Sequence, residues 1–290
     1  MLDRLALGTV QFGLPYGISN VGGQIAQDDV GAILGHARAL GIDTLDTAIG
    51  YGDSENRLGQ AGVERWRVVS KLPAVPETVT DIAAWGHESV AGSLDRLKLS
   101  RLYGLLLHRP QQLLGPAGDA LYTELVALRD QGKVEKIGVS IYGPDELDTL
   151  CSRFEFDLVQ APFNIVDRRL ATSGWLGRLR EAGTEVHVRS VFLQGLLLIP
   201  AANRPSAFGR WQPLWDRWDR WLDEQALTPV QACLGFALAH PEVDRVIVGV
   251  DSLGQLREIA MSAVAPRSAP PVELISEDLD LLNPSRWNLH

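Results

Sequence analysis

The strongest constraint on the fold of this chain is a regular alternation of short apolar runs with helical patterns. Eight runs have the length of a β-strand, and most are continuously apolar, as parallel strands covered on both faces are. The runs are LALGTV (5–10), IDTLDTA (42–48), RVVSKL (67–72), LYGLLLH (102–108), KIGVS (136–140), LVQAPF (158–163), EVHVRSV (185–191) and RVIVGV (245–250).

The intervals between these runs carry the 3.6-residue spacing of amphipathic helices. From Val30, apolar residues fall at i, i+3, i+4 and i+7, and Gly41 is placed to end that helix. Similar patterns predict helices over 90–97, 121–128, 147–151 and 230–238. The segments TPVQ (228–231) and SLGQ (252–255) each match a capping box, which predicts two helix starts.

Eight strands alternating with helices predict an α/β fold, a (β/α)₈ TIM barrel in which residues 1–290 form a single domain. The run at 5–10 supplies the N-terminal strand segment, and 198–227 predicts an extended loop with an extra helix after strand seven. The alternative is an open doubly wound sheet. That fold would want a G-x-G-x-x-G turn after the first strand, and GTVQFG (8–13) does not supply one.

Charge and cysteine content narrow the classes of partner. The chain has 27 Lys plus Arg and 36 Asp plus Glu, a net charge of −9 without a basic run, so we expect no nucleic-acid partner. Its apolar runs fall short of the roughly 20 residues of a membrane helix, and the first ten residues do not resemble a signal peptide. We therefore expect a cytoplasmic protein with no membrane partner, in which Cys151 and Cys233 are reduced.

Four polar residues follow or end neighbouring strands of this barrel. Asp46 ends strand two, Lys71 strand three and His108 strand four, while Tyr51 lies five residues beyond Asp46. Barrel chemistry is found at the carboxyl ends of the strands, so these side chains are candidates for catalysis. A lysine near the barrel core is costly unless paired, and Asp46 is its obvious partner. A structural ion pair, a core histidine and a surface tyrosine are the equally weighted alternative.

Five segments of the chain occur in the order of a known family. They are DTAIGYGDSE (46–55), GSLDRLKLSRLYGLLLH (92–108), GKVEKIGVS (132–140), QAPFN (160–164) and SVFLQGLL (190–197). Together they resemble the aldo-keto reductases, and the resemblance extends from about residue 5 to about residue 260.

The resemblance implies reversible hydride transfer between a nicotinamide cofactor and a small-molecule carbonyl substrate. Tyr51 would be the general acid, and Lys71 beside it would lower the tyrosine pKa toward neutrality. Asp46 would keep Lys71 charged and oriented, and His108 would orient the carbonyl. No metal is needed, because two donors already meet the developing oxyanion.

The resemblance and the barrel geometry also predict three groups of cofactor-binding residues. The group expected at the nicotinamide is Thr9, Ser140 and Gln160. The group after strand seven, expected at the pyrophosphate, is Ser190, Phe192, Gln194 and Gly195. The group in the adenosine clamp, which includes a helix N-terminus, is Gly249, Ser252, Gln255 and Glu258.

Three departures from the family pattern bear on the cofactor. Ile141 follows Ser140 where many relatives have asparagine, and Arg189 stands where an aromatic residue often stacks on the nicotinamide. Gly249 and Gln255 stand where relatives that prefer a 2′-phosphate tend to place cations. The expected cofactor is NADP, with NAD as the alternative.

Other functions stay open at this stage. Lys71 on such a barrel could serve a Schiff-base aldolase, and the fold could also serve as a non-catalytic nicotinamide-binding sensor or subunit. Trp211, Trp215, Trp218 and Trp221 recur at helical spacing in segment 211–221. A helix packed on the barrel is the favoured interpretation of these tryptophans, ahead of a substrate wall or a partner-binding face.

Overall fold

The eight strands form a closed parallel barrel in the computed structural model, which describes residues 2–18, 20, 22–265 and 268–287. The strands are β1 (Leu5–Gly8), β2 (Thr44–Asp46), β3 (Arg67–Leu72), β4 (Leu102–Leu107), β5 (Val134–Ser140), β6 (Leu158–Pro162), β7 (Glu185–Arg189) and β8 (Arg245–Gly249). Each pairs in parallel with the next, and β8 pairs with β1. The predicted barrel is confirmed, and the open doubly wound sheet is wrong.

The helices surround this barrel. In the described part of the chain they are α1 (Val10–Gly13), α2 (Gln27–Ala39), α3 (Ser54–Ala61), α4 (Ile82–Leu97), α5 (Gly118–Asp130), α6 (Asp145–Leu150), α7 (Arg169–Thr172), α8 (Trp175–Glu181), α9 (Gln212–Gln225), α10 (Pro229–Leu238), α11 (Leu253–Ser262) and α12 (Leu279–Leu282). No helix among them is both long and apolar enough to cross a membrane. The cytoplasmic location stays a prediction.

One of the two predicted capping boxes is complete. Thr228 accepts the N–H of Gln231, and the Gln231 side chain accepts the N–H of Thr228. At the second site Ser252 accepts the N–H of Gln255, but the Gln255 side chain accepts from Asp251 instead, at 2.7 Å. The second box is therefore wrong in its reciprocal bond, because the glutamine reaches back one residue further.

The barrel interior is layered along its axis. At the amino ends of the strands, Glu185 accepts hydrogen bonds from Tyr103 and Lys136 and pairs with His187 at 2.7 Å. Above this charged group lies an apolar layer of Val69, Leu106 and Leu158, all fully buried. The polar residues of the site lie above that layer, at the carboxyl ends.

The segment after β7 contains the predicted extra helix, α9. Trp215 and Trp218 on α9 are 0% and 1% exposed, and Trp221 is also buried. The Trp215 indole donates to the Phe208 carbonyl at 2.9 Å. Trp211 precedes the helix and donates to Asp278 of the C-terminal segment. The tryptophans thus pack inward, as the favoured interpretation predicts.

Candidate active site

A cavity of about 650 Å³ opens at the carboxyl ends of the strands. Tyr51, His108 and Tyr142 line one end, while Gln255 and Glu258 line the part formed by the β8 loop. This is the face of a TIM barrel where chemistry is found. The cavity is large enough to hold a cofactor-sized ligand.

A buried ion pair lies at the base of the cavity. Lys71 Nζ is 2.9 Å and 2.8 Å from the two Asp46 carboxylate oxygens and also donates to the Thr47 carbonyl at 2.8 Å. Lys71 is 1% exposed. Burial alone would lower the pKa of Lys71, but the neighbouring charge of Asp46 and the tyrosine Tyr51 outweigh it and raise the pKa. The lysine is therefore held as a cation.

Tyr51 lies beside this lysine because its backbone is fixed. Lys71 Nζ is 3.3 Å from the Tyr51 hydroxyl, and the Tyr51 ring meets the His108 ring edge-on at 5.8 Å between centroids. A Cβ on Gly13 would lie 1.8 Å from the Tyr51 carbonyl oxygen. Only a glycine at position 13 thus lets α1 approach the tyrosine loop this closely.

The two residues that open α3 anchor that loop. Ser54 donates to the Thr9 carbonyl at 2.9 Å. Buried Glu55 accepts from Ser70 and Ser93 at 2.7 Å and 2.6 Å and pairs with Arg96 at 2.8 Å. The Ser-Glu pair of the sequence motif is therefore a structural anchor.

His108 lies at the same end of the cavity in its neutral form. Burial, followed by the positive charges of Lys71 and Arg189, lowers the pKa of His108 from 6.5 to about 4. A neutral imidazole can donate one N–H and cannot carry charge to a ligand at neutral pH. This makes His108 a hydrogen-bond donor and not an acid at that pH.

The His108 pKa gives a direct prediction. We expect the His108 ring resonance, identified by its loss in His108→Gln, to stay unchanged from about pH 8 down to about pH 5.5 and to titrate near pH 4. The unfolded chain binds the proton at the ordinary pKa of 6.5. The contribution of neutral His108 to the free energy of unfolding is thus fully present above pH 6.5 and is lost as the pH falls toward 4. A ring titrating between about pH 6 and 7 would contradict this.

Two residues expected at the nicotinamide are hydrogen-bonded to Asp46, Gln160 to its carboxylate and Thr9 to its backbone carbonyl. The Gln160 amide donates to Asp46 at 2.6 Å and accepts from Ser140 at 2.9 Å. Gln160 and Thr9 line the cavity, whereas Ser140 is buried outside its lining. The Thr9 hydroxyl donates to the Asp46 carbonyl at 3.0 Å.

The loop after β7 has a sharply bent backbone. Ser190, Leu193 and Gln194 have φ values of 59°, 48° and 52°, and Gly195 has 92°. Non-glycine residues adopt this region rarely, and such residues cluster at ligand sites. The four residues predicted in this loop, Ser190, Phe192, Gln194 and Gly195, all line the cavity.

The part of the cavity that was predicted to bind adenosine contains a close approach of two residues and a buried acceptor atom. A Cβ on Gly249 would lie 2.5 Å from the Gln11 amide nitrogen, so the glycine leaves room for that side chain. The buried Gln11 Oε1 has no hydrogen-bond partner within the described residues, and a ligand donor can fill this role. Both residues line the cavity.

The side chains that line this part of the cavity differ in charge from the cations that a clamp for a 2′-phosphate would have. Gly249, Gln255 and Glu258 line the cavity as predicted, and Asp251 joins them, whereas Ser252 caps α11 outside the lining. Among the described lining residues, Arg189 supplies the one Lys or Arg side chain. The β8 loop and the start of α11 therefore present carboxylates and an amide to the cavity, without a cation among the described lining residues.

Several lining residues were not predicted from the sequence. Gln11 is a polar residue of GTVQFG three positions after β1 ends, and its place near a strand's carboxyl end was the available signal. Tyr142 follows β5 in the same way. Asp251 lies inside the predicted clamp segment, but its acidic side chain does not match the expected cations.

Comparison with known proteins identifies the class of enzyme to which this barrel and its polar site belong. The sequence profile of the Aldo/keto reductase family matches residues 4–277. An NADH-specific methylglyoxal reductase of Escherichia coli K12 is 27% identical over 309 residues, covering 89% of this chain and 88% of that protein. The oxidoreductase YdhF of the same bacterium is 30% identical over 161 residues, covering 49% and 53%.

Solved structures have the same fold. A Pseudomonas aeruginosa protein assigned to the aldo-keto reductases superposes with a TM-score of 0.66 at 25% identity, covering 90% of this chain and 89% of that one. The holo form of the aldo-keto reductase AKR11C1 from Bacillus halodurans gives 0.71 at 21% identity, covering 92% and 88%. Because the family profile spans nearly the whole sequence, this chain belongs to the aldo/keto reductase family. It is an NAD(P)H-dependent reductase.

Proposed function

We propose that this enzyme reduces a small aldehyde or ketone to the alcohol, with Tyr51 as general acid. The observation that carries the proposal is the 3.3 Å contact between the Tyr51 hydroxyl and a lysine held by Asp46. A tyrosine has a pKa near 10 in isolation and exchanges protons poorly at neutral pH. Lys71 Nζ donates to the Tyr51 hydroxyl, so a positive charge faces the oxygen from which the proton leaves.

The remaining steps follow from the side chains around the carbonyl oxygen. When bound, the reduced nicotinamide supplies a hydride to the carbonyl carbon. Tyr51 donates its proton to the carbonyl oxygen, and neutral His108 donates a hydrogen bond to the same atom. Asp46 keeps Lys71 protonated through the step.

The cavity lining supports a definite assignment of cofactor contacts. Gln160 and Thr9 would lie at the nicotinamide, and the bent loop with Gln194 and Gly195 would hold the pyrophosphate. The Arg189 guanidinium is fixed by hydrogen bonds to the Ile141 carbonyl at 2.9 Å and to its neighbour Ser190. This planar group can serve as a flat wall for the nicotinamide.

We propose NADH as the better cofactor, although the family resemblance predicts NADP. The 2′-phosphate of NADPH would add negative charge where Asp251 and Glu258 already line the cavity without a Lys or Arg. A ribose 2′-hydroxyl, in contrast, is well suited to a carboxylate acceptor. The NADH-specific relative from Escherichia coli supports the same choice.

Cofactor titration by nicotinamide fluorescence tests this choice. We expect NADH to bind at least about tenfold more tightly than NADPH, and Glu258→Lys to strengthen NADPH binding about tenfold. Glu224→Lys, which makes the same charge change at an exposed position of α9, is the control and should leave the ratio unchanged. Tighter NADPH binding by the unaltered protein would restore the NADP assignment.

The environment of Lys71 argues against the Schiff-base aldolase, and a turnover measurement tests the non-catalytic sensor. Its Nζ contacts four oxygen atoms and carries a raised pKa, which disfavours the neutral amine that a Schiff base requires. A non-catalytic sensor would bind cofactor and reduce no carbonyl. A panel of sugars, aldehydes and ketones, followed by NADH absorbance, separates these: turnover supports the reductase, and its absence supports the sensor.

A further inference from the structure

We propose that the preferred carbonyl substrates carry an anionic group, a carboxylate, and that Arg109 binds this group at the rim of the cavity. The inference rests on the proposed function and names its substrate class. It makes Arg109 a residue that determines specificity, with no part in the proton or hydride transfer.

The first argument is the position of Arg109. It directly follows His108, which faces the carbonyl, and its guanidinium carbon lies 5.6 Å from the centroid of the Tyr142 ring. The Tyr142 ring lines the cavity, so this contact holds the charge beside the cavity wall. Arg109 is exposed and does not itself line the cavity, so its charge lies at the rim, beside the wall that Tyr142 forms.

The second argument is that, in the described part of the chain, the Arg109 guanidinium contacts an aromatic ring but has no carboxylate and no hydrogen-bond partner. Within the described ranges, no carboxylate lies within 4.0 Å of its guanidinium, and that group makes no hydrogen bond. Its N–H donors are thus free for the paired contact that a planar carboxylate accepts. Arg189 differs, because its guanidinium is already bonded to Ile141 and Ser190.

The third argument is the distribution of charge along the cavity. Arg109 and Arg189 both contact Tyr142, at 5.6 Å and 5.2 Å, and both add positive potential at His108. The nearby Glu146 carboxylate is engaged by the N–H groups of Tyr142 and Gly143. Hydrogen bonds leave the Glu146 charge in place, but Lys71, Arg109 and Arg189 outnumber Asp46 and Glu146, so the carbonyl end is net positive on a protein whose net charge is −9.

A pair of isosteric aldehydes tests the proposal. The quantity measured is the ratio of kcat/KM for 4-carboxybenzaldehyde to kcat/KM for 4-nitrobenzaldehyde, which is neutral. We expect Arg109→Gln to lower this ratio about tenfold, as loss of a charge-assisted contact does, and Arg109→Lys to restore part of it. Arg101→Gln is the matched control, because exposed Arg101 precedes the opposite end of the same strand.

The dependence of this kcat/KM ratio on salt is a second measurement. A purely structural role of Arg109 would give no salt dependence of the ratio. Raising NaCl from about 20 mM to about 500 mM should lower the ratio for the unaltered protein and leave it constant for Arg109→Gln. A ratio unaffected by both the substitution and salt overturns the inference while leaving the reductase intact. Failure to reduce any aldehyde overturns the proposed function itself, so the two failures are distinct.

Discussion

Replacing Tyr51 by phenylalanine should lower kcat for carbonyl reduction by about 10²–10⁴-fold, the usual contribution of a positioned general acid. The variant keeps the ring that meets His108 at 5.8 Å and loses only the hydroxyl that Lys71 contacts. NADH affinity should change little, since that hydroxyl is assigned to the carbonyl. The decrease is measured from NADH absorbance, and the affinity from fluorescence titration.

Tyr122→Phe is the matched control. It also removes one hydroxyl, which bonds the Glu155 carbonyl at 2.9 Å on the outside of the barrel. Its turnover should be that of the unaltered enzyme. If Tyr51→Phe reduces aldehydes at the full rate, another group supplies the proton and the assignment is wrong.

Asp46→Asn should reduce both stability and turnover. The substitution removes the charge that offsets a lysine with 1% exposure, and breaking a buried pair in this way costs about 3–5 kcal/mol of unfolding free energy. Lys71 then loses its main support for the protonated form, and turnover should fall at least about a hundredfold. Urea unfolding and NADH absorbance measure the two effects.

The double variant Asp46→Asn/Lys71→Met separates these effects. It leaves no uncompensated charge, so its unfolding free energy should recover most of the loss seen in Asp46→Asn. Turnover should stay low, because nothing then stabilises the Tyr51 phenolate. If Asp46→Asn is as stable and as active as the unaltered enzyme, the pair has neither of these roles.

The barrel and the four polar residues could be predicted because they depend on local pattern. Each apolar run marks a strand, and parallel strands bring their carboxyl ends to one face. Asp46, Lys71 and His108 follow from that rule alone, and the structure places them together with Tyr51. Their catalytic roles remain a prediction.

Contacts that cross the barrel could not be predicted in this way. The bond from Gln160 to Asp46 joins residues 114 positions apart, on β6 and β2, and depends on the barrel diameter and register. Ser140 likewise donates to Gln160 across neighbouring strands, and its predicted cofactor contact stays a prediction. No local sequence signal marks either bond.

The ends of strands and the contacts between loops could not be predicted, because they depend on loop conformation. Strand seven ends at Arg189 and not at 191, because the backbone of Ser190 turns to a φ of 59°. The position of Arg109 over Tyr142 likewise depends on two loops that are distant in sequence. Such contacts need the three-dimensional fold before they can be recognised.

The layered interior of the barrel has a consequence for the evolution of such an enzyme. The apolar residues Val69, Leu106 and Leu158 lie between the Glu185 group at the amino ends and the ion pair at the carboxyl ends, and the two groups come closest where His187 pairs in register with Gln160. Substitutions in the Glu185 group and substitutions in the site at the carboxyl ends should therefore have nearly additive effects on the free energy of unfolding. The amino end of this barrel can thus accumulate substitutions for stability while the opposite end adapts to new carbonyl compounds.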